Sequence, residues 1–233
     1  MRICMKTLGI IGGMGPQASI RFLDLVIRCC TEKFGVREND EFPHIILSNL
    51  PAPDIIADRK NEEEAKHMLA KEAQTLEGAG ADFLVITCNT MHLFADACIT
   101  ATFIPLLSII DTVTEKAIAN GIKRIGLLGS LTTMTSNLYL KPLQEACIEV
   151  VIPTEKDRAR IVACIKRVIA GQATRREEKI LQDIIRTLQK KGCEAVILGC
   201  TELPLIVNRN MVKIPVLDSL ELLADAACTE IFR

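Results

Sequence analysis

The sequence predicts an α/β protein built of two similar halves, each around a parallel sheet. Two observations carry this prediction. Short apolar runs alternate with longer amphipathic stretches along the chain, which is the pattern of βαβ units. The chain also repeats itself. Lys6-Thr-Leu-Gly-Ile-Ile-Gly-Gly13 matches Lys123-Arg-Ile-Gly-Leu-Leu-Gly-Ser130, Gly80-Ala-Asp-Phe-Leu-Val-Ile-Thr-Cys-Asn-Thr90 matches Gly192-Cys-Glu-Ala-Val-Ile-Leu-Gly-Cys-Thr-Glu202, and Ile104-Pro-Leu-Leu107 matches Ile214-Pro-Val-Leu217. The offsets are 117, 112 and 110 residues, so order and spacing are kept. One half is expected over 1–111 with 216–233 returning to it, the other over 112–215, with no low-complexity linker.

The elements follow in order. Thr7–Gly13 reads as a strand running into a glycine turn, and Pro16 sits where a first-turn proline opens a helix, through about Cys30. His44–Ser48 is a second strand, followed by a polar loop rich in Pro and Asp. Asn61–Glu77 is a helix with an Asn start and a Gly78 stop. Asp82–Thr87 is a buried-type strand ending at Cys88. Arg124–Gly129, Ile148–Ile152, Ala195–Leu198 and Ile214–Leu217 supply later strands, with helices over Glu155–Ala170 and Arg175–Lys191. A final helix, about Ser219–Phe232, is expected to pack back on the first half.

Composition excludes several function classes. The 233 residues carry 28 basic and 29 acidic side chains, a net charge of -1, so no field draws in nucleic acid or an anionic membrane. Seven Phe, one Tyr and no Trp leave little for stacking bases. No run approaches the ~18 apolar residues of a membrane span. The ten cysteines at 4, 29, 30, 88, 98, 147, 164, 193, 200 and 228 would suggest disulfides in a secreted chain. Met1-Arg-Ile-Cys-Met-Lys6 lacks the apolar run of a signal peptide, so a reducing cytoplasm is expected. No Cys-x-x-Cys occurs, and the histidines at 44, 67 and 92 are scattered, so no metal is expected. Most of the cysteines read as small core hydrophobes.

Cys88 and Cys200 escape that reading. They fall at the same place in the two repeats, at the carboxyl ends of equivalent strands, and polar residues follow each one. Ligands of open parallel sheets bind beyond that end. If the halves face each other about a pseudo-twofold axis, two thiols approach one ligand from opposite sides. Backbone N–H groups at a following helix start would favour thiolate there. His92, four residues after Cys88, points back along such a helix and either tunes the thiol, donates a proton or only supports it. Glu202 either polarises Cys200, holds a substrate amine, or is a helix-start carboxylate.

The turn Gly9-Ile-Ile-Gly-Gly-Met14-Gly15 formally fits a dinucleotide fingerprint. The second strand ends in Leu47-Ser-Asn-Leu50 without the acidic residue that would hold a ribose, so no nucleotide is expected. Either its main-chain N–H groups approach a small anion or it is a plain βα turn. Arg59, in Asp58-Arg59-Lys60, offers a bidentate grip for a carboxylate or is a solvated loop charge. Ser130, Thr132 and Thr133 offer an anion seat or a helix cap.

Taken together, the opening glycine turn, Cys88-Asn-Thr-Met-His92, Ile110-Asp111-Thr112, Leu127-Leu-Gly-Ser-Leu-Thr-Thr133 and Gly199-Cys-Thr-Glu202 resemble the aspartate/glutamate racemase family over nearly the whole chain. The resemblance implies two flavodoxin-like three-layer α/β domains, a homodimer, and cofactor-independent racemisation of an acidic amino acid. Cys88 and Cys200 fall on its two acid/base positions, where a thiolate and a thiol exchange roles with substrate hand. Asn89, Thr90 and Thr201, with Met14 in the glycine turn, would bind the α-carboxylate and the developing enediolate charge. Aspartate-specific members resemble one another in a basic pair. Arg59 matches the first position, but Ile169 stands at the second, with Lys166 and Arg167 a turn earlier. Broad acidic specificity is therefore as well supported as strict aspartate specificity. The alternatives are a Cys-dependent dicarboxylate decarboxylase or isomerase of the same superfamily, or a non-catalytic small-ligand-binding α/β protein.

Overall fold

The computed structural model describes residues 5–53, 55–56 and 60–233. It contains two four-stranded, wholly parallel sheets with flanking helices. In the first, β1 (Leu8–Gly12), β2 (Ile45–Asn49), β3 (Phe83–Ile86) and β4 (Leu106–Leu107) lie in the order β2-β1-β3-β4. Around them run α1 (Pro16–Lys33), α2 (Glu62–Gly78) and α3 (Ala95–Ala101). The second has β5 (Arg124–Gly129), β6 (Glu149–Val151), β7 (Ala195–Gly199) and β8 (Val216–Asp218) in the order β6-β5-β7-β8. The remaining helices are α4 (Ile109–Ala119), α5 (Leu131–Thr135), α6 (Asn137–Glu145), α7 (Glu155–Ile169), α8 (Arg175–Lys190) and α9 (Ser219–Ile231).

The repeat is thus the same sheet written twice, β3 and β7 holding the same slot. Both strands are buried throughout, as is β1, and their unbroken apolar runs are what a parallel sheet covered on both faces requires. The matched strand glycines have one physical cause. A Cβ on Gly9 would come within 2.8 Å of Leu84 Cδ2, and one on Gly126 within 2.8 Å of Leu188 Cδ1. Each makes room for its apolar neighbours to close on the strand.

Three boundaries differ from those expected. Gly78 is the last residue of α2 and not its stop; the chain turns two residues later at Gly80, φ 96°. The helix after the glycine turn runs past Cys30 to Lys33, because Thr31-Glu-Lys33 continues it on its solvent side until Gly35 turns the chain at φ 73°. The chain also divides by contacts into residues 1–54, 61–109 and 220–233, and residues 55–60 and 110–219. Residues 216–219 belong to the second unit, not the first, because Val216, Leu217 and Asp218 pair with Val196, Ile197 and Leu198 of β7. From Leu220 onward the last helix is in the first unit. There Lys33 Nζ meets Asp225 Oδ1 at 2.7 Å, Lys6 pairs with Glu230, and the Lys6 N–H donates to Ile231 O at 3.0 Å.

Candidate active site

In the first unit the carboxyl edge of the sheet is organised by a glycine and a serine. Gly13 sits at φ 93°, and a Cβ there would lie 2.5 Å from both Leu50 N and Leu50 O, so the turn admits no side chain. The Gly13 N–H donates to Ser19 Oγ at 2.9 Å, and Ser19 Oγ lies 3.1 Å from Thr87 Oγ1. Ser19, buried on α1, therefore ties the glycine turn to the residue before Cys88. Met14 is half-buried in that turn.

Cys88 stands two residues past β3 and is partly exposed. A short 3-10 turn, Thr90–Phe94, follows it, with Asn89 and Thr90 buried at its start. His92 is 6 % exposed and both ring nitrogens are engaged. Its Nε2 accepts the Ile109 N–H at 3.2 Å. An N–H can only donate, so the proton of the neutral ring is on Nδ1, which donates to the Cys88 carbonyl oxygen at 2.9 Å. Of the roles open to His92, this geometry is that of support: it fastens the Cys88 backbone to the first residue of α4.

In the second unit Cys200 immediately follows β7. Its Sγ–H donates to Glu202 Oε2 at 2.9 Å, and Thr201 Oγ1 donates to the same oxygen at 3.2 Å. All three residues are buried. Glu202 is thus placed against the thiol. At the end of β8, the strand next to β7, the buried Asp218 takes Arg209 Nη2 at 2.6 Å. Ser219 Oγ donates to Leu198 O at 2.9 Å and meets the hydroxyl of the fully buried Tyr139.

Ser130 caps α5. Its Oγ accepts the Thr133 N–H at 2.9 Å and donates to Thr133 Oγ1 at 2.9 Å, while Thr132 Oγ1 donates to Ile55 O at 2.8 Å. The hydrogen bonding of Ser130 and Thr133 is that of a cap, while Thr132 ties α5 to Ile55. Arg59 lies outside the described residues. Among the described residues no group of three His, Cys, Asp or Glu could hold a metal ion, and no helix is long and apolar enough to cross a membrane.

Comparison with known proteins decides the family. The family model for Asp/Glu/hydantoin racemases matches residues 11–227. This chain belongs to the Asp/Glu/hydantoin racemase family. A broad-specificity amino-acid racemase of Bacillus subtilis strain 168 is 30% identical over 93% of this chain and 94% of its own. An aspartate racemase homologue from Pyrococcus horikoshii OT3 is 33% identical, with a TM-score of 0.80 over 96% of this chain and 97% of its own. The Picrophilus torridus aspartate racemase is 28% identical, with a TM-score of 0.84 over 97% of this chain and 94% of its own.

Within this racemase-family chain Cys98, Cys164 and Cys193 lie in the core. None of the described cysteines is in a disulfide. Burial pushes the Cys98 thiol up to about 11, and raises Cys164 and Cys193 as well. Such thiols stay protonated at neutral pH and act as core hydrophobes. Cys147 departs from the core expectation: it is exposed, with φ 59°, at the end of α6. Reading the sequence missed Ser19, Asp218 and Arg209. Ser19 looks like one small residue in a helix, and only the closed distances reveal its role.

Proposed function

We propose that the chain racemises an acidic amino acid, aspartate or glutamate, without a cofactor, using Cys88 and Cys200 on opposite faces of the α-carbon. The observation that carries this reading is positional. Both cysteines follow the same strand of two equivalent sheets, at the edge where ligands of parallel sheets bind.

The chemistry suits such a pair. An α-proton is only weakly acidic, so one thiolate must remove it while a thiol delivers a proton to the other face. Glu202 Oε2 accepts the Cys200 Sγ–H and so fixes the direction of the thiol proton. The thiol then stands ready to donate, and the other cysteine serves as base in that direction. In the reverse direction the roles exchange. Asn89, Thr90 and Thr201 supply amides and hydroxyls for the α-carboxylate, whose negative charge grows as the enediolate forms. His92 and Ser19 act at one remove, holding the Cys88 segment and the glycine turn in place.

Incubation with L-aspartate or L-glutamate, without added cofactor, tests the reading by chiral chromatography. The D-enantiomer is expected to accumulate with the wild-type chain and to vanish with Cys88→Ser or Cys200→Ser. Decarboxylation in its place would move the assignment to the dicarboxylate decarboxylases, and binding without turnover would make the chain a ligand-binding protein.

A further inference from the structure

A racemase of acidic amino acids must also hold the side-chain carboxylate, and Ile169 stands where aspartate-specific members resemble one another in a lysine. The second unit contains a cation whose surroundings fit that task. α7 opens at Thr154, whose Oγ1 accepts the Asp157 N–H at 3.2 Å, and it buries Ile161, Cys164, Ile165 and Val168. Arg158 precedes Ile161 by three residues and Ile165 by seven, which places it on the flank of that buried face. The helix packs against α5 and against the 3-10 turn Leu203–Leu205, the segments that directly follow Ser130 and Glu202.

The half-buried Arg158 has an Nε that is shut off from solvent and has no hydrogen-bond partner among the described residues. Buried donors are nearly always satisfied, and an exception calls for a ligand or another function. Neighbouring arginines are not in this state. Arg167, on the same helix, is paired with Glu177 at 3.0 Å, and Arg209 with Asp218.

We propose that Arg158 is a specificity-determining residue whose guanidinium takes the second carboxylate of the acidic substrate. A carboxylate approaching side-on receives two parallel N–H bonds, one from Nε and one from Nη, so it fills the orphaned donor and neutralises the cation together. Aspartate, glutamate and simple dicarboxylates such as succinate present that group; alanine and serine do not. This inference rests on the racemase reading for its substrate, and on the Arg158 environment for its site.

The test measures binding and turnover separately. Isothermal titration of the full chain with succinate needs no chemistry, and Arg158→Gln is expected to weaken it by about 10- to 100-fold, as for loss of a charged hydrogen-bonding pair. Arg158→Lys keeps the charge but loses the side-on fork, and falls between. For racemisation, the ratio of kcat/KM for aspartate or glutamate to that for alanine should drop by at least about tenfold in Arg158→Gln, carried by KM. A second measurement uses the wild-type chain alone: saturating succinate, but not alanine, should protect Arg158 from phenylglyoxal, read by peptide mass spectrometry.

Equal losses for acidic and neutral substrates, unchanged succinate affinity, or modification of Arg158 that succinate does not slow would each overturn the assignment. If succinate binding depends on Arg158 but no amino acid is racemised, the racemase reading fails and the anion site stands. Undiminished racemisation of aspartate in Arg158→Gln would leave the racemase reading standing and remove this one.

Discussion

His92 bridges a buried backbone N–H and a part-buried carbonyl, and removing it has a calculable cost. Ile109 is the first residue of α4, where N–H groups have no partner inside the helix, and Nε2 of His92 supplies one at 3.2 Å. Nδ1–H satisfies the Cys88 carbonyl at 2.9 Å. In His92→Leu the side-chain volume is roughly kept, but both backbone groups lose their bond to a ring that is 6 % exposed in the native chain. The bond to the buried Ile109 N–H carries most of the cost, so the variant should lose about 1–3 kcal/mol. His92→Gln carries both a donor and an acceptor and should recover part of the loss. Urea unfolding followed by far-UV circular dichroism measures this directly. The assay should also show Cys88 alkylated at an altered rate in His92→Leu, because its carbonyl is no longer fixed. A loss below about 0.5 kcal/mol would refute the bridge, since surface substitutions lie within that range.

Three further outcomes follow from the same geometry. Gly13→Ala should destabilise by more than about 2 kcal/mol in thermal or urea unfolding, because the new Cβ meets Leu50 backbone atoms at 2.5 Å and φ is 93°. The Glu177 carboxyl is held below its ordinary value first by the Thr174 hydroxyl and then by the Thr174 N–H, with Arg167 adding to it. Ionised Glu177 therefore favours the folded state. Its contribution is present above about pH 4.3, the unfolded value, and is lost as pH falls through the lower folded value. The stability gap between wild type and Glu177→Gln should thus be open at pH 7 and narrow below about pH 4 in urea titrations. Glu202→Gln replaces the carboxylate oxygen that accepts the Cys200 Sγ–H, so iodoacetamide should label Cys200 at a faster rate at pH 7, with folding checked by the emission of the sole tyrosine, Tyr139. Unchanged labelling would mean that the hydrogen bond does not govern the thiol.

Most of the fold was legible because it is written in local patterns. The runs 83–86 and 195–199 are apolar without alternation, as a sheet covered on both faces demands, and Pro16 marks the first turn of its helix by backbone chemistry alone. The slot of Cys88 and Cys200 could be read because the repeat compares the chain with itself. Less legible was whatever depends on a distant partner. The duty of His92 is set by Ile109, seventeen residues on, and that of Ser19 by Thr87. Arg158 sits in a charged stretch, Glu155-Lys-Asp-Arg158, that reads as a solvated helix start; its meaning comes from where α7 packs. The strand Val216–Asp218 was legible as a strand, but its sheet is set by pairing with β7, which no local pattern records.

The central claim is that two thiols exchange the α-proton from opposite faces. Early-time turnover in deuterated water, started separately from L- and D-aspartate, tests it most directly by NMR and chiral separation. Newly formed product is expected to carry deuterium at the α-carbon in both directions, while unreacted substrate still carries protium. Product that retains the substrate's own α-proton would show a single group serving both faces and would contradict it.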